Sequence, residues 1–187
     1  MPTNNKGKEF EKRWKESCQR QDVFCLRLND SDLSWNPSIK NKTGFTPKNK
    51  ADFICFQKGN LFPLELKSTC YNSISIQREE KEATKMIKLH QIKSLVEFNH
   101  FNGVFPGFLL NFREEDDNHN IVDEITYWLS IDNFSNFYCD STKSSINKLD
   151  VINYNGIIVE SKKLRKNFTY NPKGLFDKIL EQDWVTE

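Results

Sequence analysis

The sequence predicts an α/β (α+β) fold: a mixed central sheet flanked by helices, with a protruding loop between the first two strands. Three observations predict it. Apolar residues follow a helical period, then strand-like runs, then a helical period and further runs, in the order helix, strands, helix, strands. The strand-like runs are rich in Phe, Ile and Leu. Residues 29–50, "NDSDLSWNPSIKNKTGFTPKNK", part the first two runs with no period at all.

The elements follow in order. Residues 5–20 read as a helix, because Phe10, Trp14 and Cys18 recur every four residues on one face. "DVFCLRL", 22–28, reads as a strand. The aperiodic 29–50 is long for a loop inside one domain, a length that usually has a function. Strands fit 51–57 and 61–68, with "QKGN" as their turn. Residues 83–98 read as a helix with Met86, Leu89, Ile92, Leu95 and Val96 on one side. "GVFPGFLLNF" and "EITYWLSI" are two more strands, and Pro106 predicts an edge or a bulge for the first. The acidic stretch 114–124 between them reads as a solvated hairpin tip. A short helix near 132–138, a strand at 156–161 and a helix around 173–182 complete the chain.

A length of 187 residues suits a single domain, 1–187. A chain of that size buries about 70% of its unfolded surface. The 15 Phe residues supply the core. No apolar run approaches the roughly 20 residues that span a bilayer. The start, "MPTNNKGKEFEKR", is polar and basic, so we expect a cytoplasmic protein with no membrane partner. The five cysteines, Cys18, Cys25, Cys55, Cys70 and Cys139, show no CxxC spacing and read as free thiols of a reducing compartment.

Net charge is only +1, which excludes a global basic field, yet the charges are sorted. Lys8, Lys12 and Lys15 lie near the start, Lys40, Lys42, Lys48 and Lys50 in the long loop, and a further cluster runs from Lys162 to Lys173. Folded together they would form a phosphate-binding face; taken singly they are solvated surface.

Residues 51–69, "ADFICFQKGNLFPLELKST", place three charges in an apolar setting: Asp52, Glu65 and Lys67. Glu65 and Lys67 are two apart and share a strand face. Charges held near a core need a partner. A divalent cation on Asp52, Glu65 and the Leu66 carbonyl would be one, since Mg²⁺ prefers such oxygens. Lys67 would then stand beside a water or phosphate, the layout of metal-assisted phosphodiester hydrolysis. A structural salt bridge is the competing reading, favoured by spacing alone, because Glu79-x-Lys81 and Glu160-x-Lys162 repeat the triplet. Asp150 ahead of Glu160 makes the last a rival site, but only 25 residues follow it. His90 and Thr69 can each bond a phosphate or serve structure. Trp35 and Phe45 can stack on bases or pack the loop.

The D-x(n)-E-x-K pattern resembles that of the PD-(D/E)xK nucleases. The wider chain looks like their RecU-type Holliday junction resolvases. "NKGKEFEKRW" is similar to the family's N-terminal Gly-x-x-x-Glu helix, with Glu11 as the matching acid. "ADFICFQKGNLFPLELKST" matches its acid, turn and E-x-K-x-T block. "LHQIKSL" looks like its His-Gln helix, which places Gln91. "FNGVFPGFLLNF", "TYWLSI", "KSSINKLDVINYNGIIV" and "GLFDKIL" follow its strands and C-terminal tail. The likeness spans nearly the whole chain. Two departures stand out: the segment before Asp52 is shorter than the family's stalk, and Ala51 replaces a hydroxyl residue.

The resemblance implies a restriction-endonuclease-like fold in which 29–50 is a stalk-like loop and 141–187 a tail packed on the same domain. It implies a Mg²⁺-dependent homodimer, with Mn²⁺ as a substitute, that nicks opposing strands of four-way DNA junctions. Catalytic residues would be Glu11, Asp52, Glu65, Lys67 and Gln91. The metal ligands would be Asp52, Glu65, Leu66 and Glu11. DNA contacts would fall to Lys8, Lys12, Lys15, Trp35, Lys40, Lys42, Lys48, Lys50, Thr69 and His90. A recombinase or branch-migration protein would be a partner, in a bacterial or phage-infected cell.

Overall fold

The computed structural model describes residues 6–28, 49–82, 84–165 and 167–183. Most of the predicted 29–50 loop, with Trp35, Lys40, Lys42, Phe45 and Lys48, lies outside the described residues.

Helix α1 (Lys6–Arg20) forms where the four-residue spacing predicts it, and Phe10, Trp14 and Cys18 are fully buried. It leads into β1 (Phe24–Arg27), and the chain resumes at β2 (Phe53–Gln57) and β3 (Asn60–Thr69). The β2–β3 turn holds Lys58 at φ 49° and Gly59 at φ 82°. Two consecutive left-handed residues make a tight hairpin whose twist matches its strands. A short β4 (Ser73–Ser75) precedes α2 (Leu89–Phe98). Then come β5 (Gly107–Glu115), β6 (Ile121–Ser130), α3 (Ile131–Asp140), β7 (Ser145–Asn147) and α4 (Lys148–Asn153). The chain closes with β8 (Ile157–Val159), β9 (Ser161–Lys163), β10 (Phe168–Tyr170) and α5 (Pro172–Asp183).

The central sheet has the order β1-β2-β3-β5-β6-β8. All neighbours are antiparallel except β3 and β5, which run parallel. This is the predicted mixed sheet, and helices cover both faces. On one face α1 and α5 bury Phe10, Trp14 and Phe176 against Phe53, Phe62, Leu64 and Leu66. On the other, Leu95 of α2 and Phe134 and Phe137 of α3 pack against Phe108, Leu110 and Phe112. Two small antiparallel pairs, β4–β7 and β9–β10, lie outside the sheet.

The structure corrects three expectations. The helix predicted from residue 83 begins at Leu89, and Val96 on its supposed core face is exposed. Ile87 instead bridges Ile76, donating its N–H to Ser75 and accepting from Gln77. That tertiary pairing outcompetes one more helical turn. Pro106 does not mark an edge. It precedes β5, which lies between β3 and β6, so no ladder N–H is lost. Its carbonyl accepts from Ile131, and Gly107 beside it lets Trp128 close over the strand, where a Cβ would sit 2.6 Å from the indole Nε1.

The acidic stretch 114–124 is not all hairpin tip either, because Glu124 is buried on β6. It takes Arg13 Nη1 at 2.9 and 3.0 Å and the Tyr170 hydroxyl, closing α1 and β10 onto the sheet. Burial, and then the Glu124 charge, push the Tyr170 phenol well above its ordinary pKa. Asp116 does form the turn, accepting from the backbone of Asn118 and Asn120.

Candidate active site

The β2–β3 hairpin builds the site. Asp52 stands just before β2, with its backbone bonded to both neighbours: its carbonyl accepts from Leu28 and its N–H donates to Leu64. Its side chain reaches across the hairpin, where Oδ2 accepts the Leu66 N–H at 2.7 Å. On β3, Leu64 and Leu66 face α1, so the alternation turns Glu65 and Lys67 to the α2 face. There they sit beside Phe108 and Leu110 of the parallel strand β5.

Glu65 is 2% exposed. Its Oε1 accepts from Lys67 Nζ at 2.6 Å and from Gln91 Nε2. Gln91 is fixed in turn, because its Oε1 accepts the Lys88 N–H at 2.9 Å at the start of α2. The docking of α2 thus delivers the amide to the carboxylate. Burial pushes Glu65 up to about 7, against the opposing pull of Lys67 and with a further push from the neighbouring Asp52 carboxyl.

These features fit a hard divalent cation. The half-buried Asp52 carboxyl stands beside the buried Glu65, and its charge adds to the push on the Glu65 pKa. A cation bound by oxygens offsets that push. Asp52, Glu65 and the Leu66 carbonyl could hold it.

The structure brings Asp52, Glu65, Leu66, Lys67 and Gln91 together. Glu11 does not join them. Arg27 Nε and Nη2 hold its carboxylate at 2.8 and 2.6 Å. Among the described residues, Glu11, Asp52 and Glu65 do not form a group of donor atoms within 4.8 Å. Glu11 lies instead in a surface depression lined by Lys8, Lys12, Lys15 and Arg27. Sequence reasoning passed over Arg27. Its signal was a cation alternating with Cys25 on a half-buried strand.

Lys50 is exposed and pairs with Glu97 of α2 at 2.8 Å. Thr69 is buried, and its hydroxyl accepts the Tyr71 N–H at 3.0 Å. His90 is half-buried in the first turn of α2. The rival triplet does not assemble. Asp150 lies in the first turn of α4, where its carboxylate accepts the N–H of the cap residue Asn147 and pairs with Lys143 at 2.7 Å, whereas Glu160 pairs with Lys178 at 2.6 Å.

The chain is 34% identical over 188 aligned positions to the SPbeta prophage-derived uncharacterized protein YotM of Bacillus subtilis (strain 168), covering 98% of this chain and 91% of that one. This chain belongs to the YotM family. No family model matches it. Among solved structures it is similar to Hjc, a Holliday junction resolvase of Archaeoglobus fulgidus, at 11% identity and a TM-score of 0.49. That likeness covers 81% of this YotM-family chain and 95% of Hjc, and is too slight to bear on its fold or activity.

Proposed function

We propose that the chain is a metal-dependent endonuclease of the PD-(D/E)xK type that acts on branched DNA, with a RecU-like preference for four-way junctions. One observation carries the reading. A buried glutamate, Glu65, is held by Lys67 and Gln91 beside a second carboxyl group, Asp52. A salt bridge for stability needs one acid and one base. A second acid in the pocket raises its cost and makes sense when a cation is shared.

In this reading Asp52, Glu65 and the Leu66 carbonyl hold Mg²⁺, or Mn²⁺ in its place. The ion supplies Lewis acidity and lowers the pKa of bound water. Lys67, fixed by Glu65, positions the attacking water and offsets the charge that grows on the phosphate oxygens. Gln91 orients the same water from the helix side. Glu11 would enter only through a second ion, because Arg27 already holds its carboxylate. Lys8, Lys12, Lys15 and Arg27 line a basic depression suited to the DNA backbone. A homodimer would present two such sites to opposing strands of a junction.

Cleavage of a synthetic four-way junction and of matched linear duplex, each with and without Mg²⁺, tests the reading. Mg²⁺-dependent paired nicking of the junction is the expected result. Equal cutting of duplex would point to a restriction or repair type of nuclease. Binding of the junction with no turnover in Mg²⁺ or Mn²⁺ would overturn the enzymatic reading.

A further inference from the structure

Three of the five cysteines converge although no spacing in the sequence pairs them. Cys18 ends the buried face of α1, Cys25 lies mid-way along β1 and Cys55 mid-way along β2. Cys25 and Cys55 are direct partners in the β1–β2 register, and Cys18 comes down on them from the helix. All three sulfurs lie within 4.8 Å of one another. Cys18 and Cys55 are buried, and Cys25 is half-exposed.

We propose that Cys18, Cys25 and Cys55 form a three-thiolate site for a soft d¹⁰ cation, Zn²⁺ in the first instance, separate from the carboxylate pocket. Zinc–sulfur bonds of about 2.3 Å set sulfurs about 3.8 Å apart around a tetrahedral ion, so the cluster needs only a small contraction. Thiolate sulfur selects Zn²⁺ over Mg²⁺, which prefers carboxylate and water oxygens. The charge balance also favours Zn²⁺. Three thiolates leave a net −1 with a divalent ion and −2 with Cu⁺, and the site adjoins an apolar core.

Binding replaces the thiol protons, which pass to the buffer. The thiols already interact. Hydrogen bonds from Cys18 and then Cys55 pull the Cys25 pKa down, whereas the hydrogen bond with Cys25 pushes Cys18 up and burial pushes Cys55 up, so the ion must displace two tightly held protons. The half-exposed Cys25 marks the entry side, where a water would complete the tetrahedron. An ion there would clamp the end of α1 to the β1–β2 pair, where α1 carries Glu11, β1 carries Arg27 and Asp52 directly precedes β2.

Three buried thiols can also simply fill space, since free cysteine behaves as a small apolar residue. The test separates these readings. The full chain carrying Cys70→Ser and Cys139→Ser, which removes the two exposed thiols, is reduced, freed of metal and titrated with Co²⁺. We expect a near-ultraviolet thiolate-to-cobalt absorption band that saturates at one ion per chain and is bleached by Zn²⁺. Excess Mg²⁺ should leave it unchanged. Adding Asp52→Asn and Glu65→Gln should leave it unchanged too, so the outcome does not depend on the nuclease reading. Cys25→Ser, at the half-exposed position least able to disturb folding, should weaken the band's apparent affinity by more than about tenfold. Circular dichroism checks that this variant is folded. Absence of the band, or its full survival in Cys25→Ser, overturns the proposal. So does recovery of the chain as a Cys25 disulfide that takes up no metal when reduced.

Discussion

Asp52 Oδ2 accepts the Leu66 N–H at 2.7 Å, so the acid of one strand is tied to the backbone between Glu65 and Lys67 on the next. Asparagine can keep this bond through its amide oxygen while losing the negative charge. Asp52→Asn should therefore fold normally and bind a four-way junction within about twofold of the parent, yet lose about 10²-fold or more of its cleavage rate. Gel shifts without Mg²⁺ and single-turnover cleavage with it check both halves.

Glu65 links stability to pH. Its folded pKa of about 7 lies above the ordinary 4.5. As pH rises between those values, the unfolded chain releases the proton first and is favoured. Stability of the metal-free protein is thus greatest below about pH 4.5 in this component, falls up to about pH 7, and is level above, a loss of roughly 3 kcal/mol. Unfolding free energies from urea melts across this range should fall by that amount in the parent and should not in Glu65→Gln. Saturating Mg²⁺ should reduce the parent's loss.

Glu124→Gln should destabilise the chain by about 3–5 kcal/mol, because it leaves the Arg13 guanidinium buried without its counter-charge. Arg13→Met combined with Glu124→Leu should cost less than the single change. Urea midpoints of the parent and the two variants decide this.

Changing Lys8, Lys12 and Lys15 together to Gln should weaken junction and duplex binding alike. The dependence of log K on log salt should become shallower by about 2–3. Affinities measured at several salt concentrations supply the slope.

Deleting residues 32–48 should bring junction and duplex cleavage toward parity while sparing turnover on duplex. Competition between the two substrates measures it, and an unchanged preference would remove this segment from substrate choice.

The short-range features were the legible ones. Alternation alone puts Glu65 and Lys67 on one side of β3, and a two-residue turn returns the chain so that Asp52 lies across from them. Four-residue spacing located α1. What escaped was decided by contacts distant in sequence. Ile87 reads as helical until Ile76 is known to lie beside it. Glu124 reads as the seam between an acidic loop and a strand, with no partner for its charge, until Arg13 and Tyr170 arrive from the two ends of the chain. Cys25 and Cys55 meet only through the β1–β2 register, which no local spacing encodes.

The tight bend at Lys58 and Gly59 also governs whether this hairpin can have any chemistry. Strand side chains alternate, so a one-residue slip between β2 and β3 would turn Glu65 and Lys67 toward Phe10 and Trp14 and lift Leu64 and Leu66 into their place. Loop length at this corner therefore sets the placement of Glu65 and Lys67 as firmly as their identity does. A single inserted residue there would part Glu65 from Gln91 without changing either side chain.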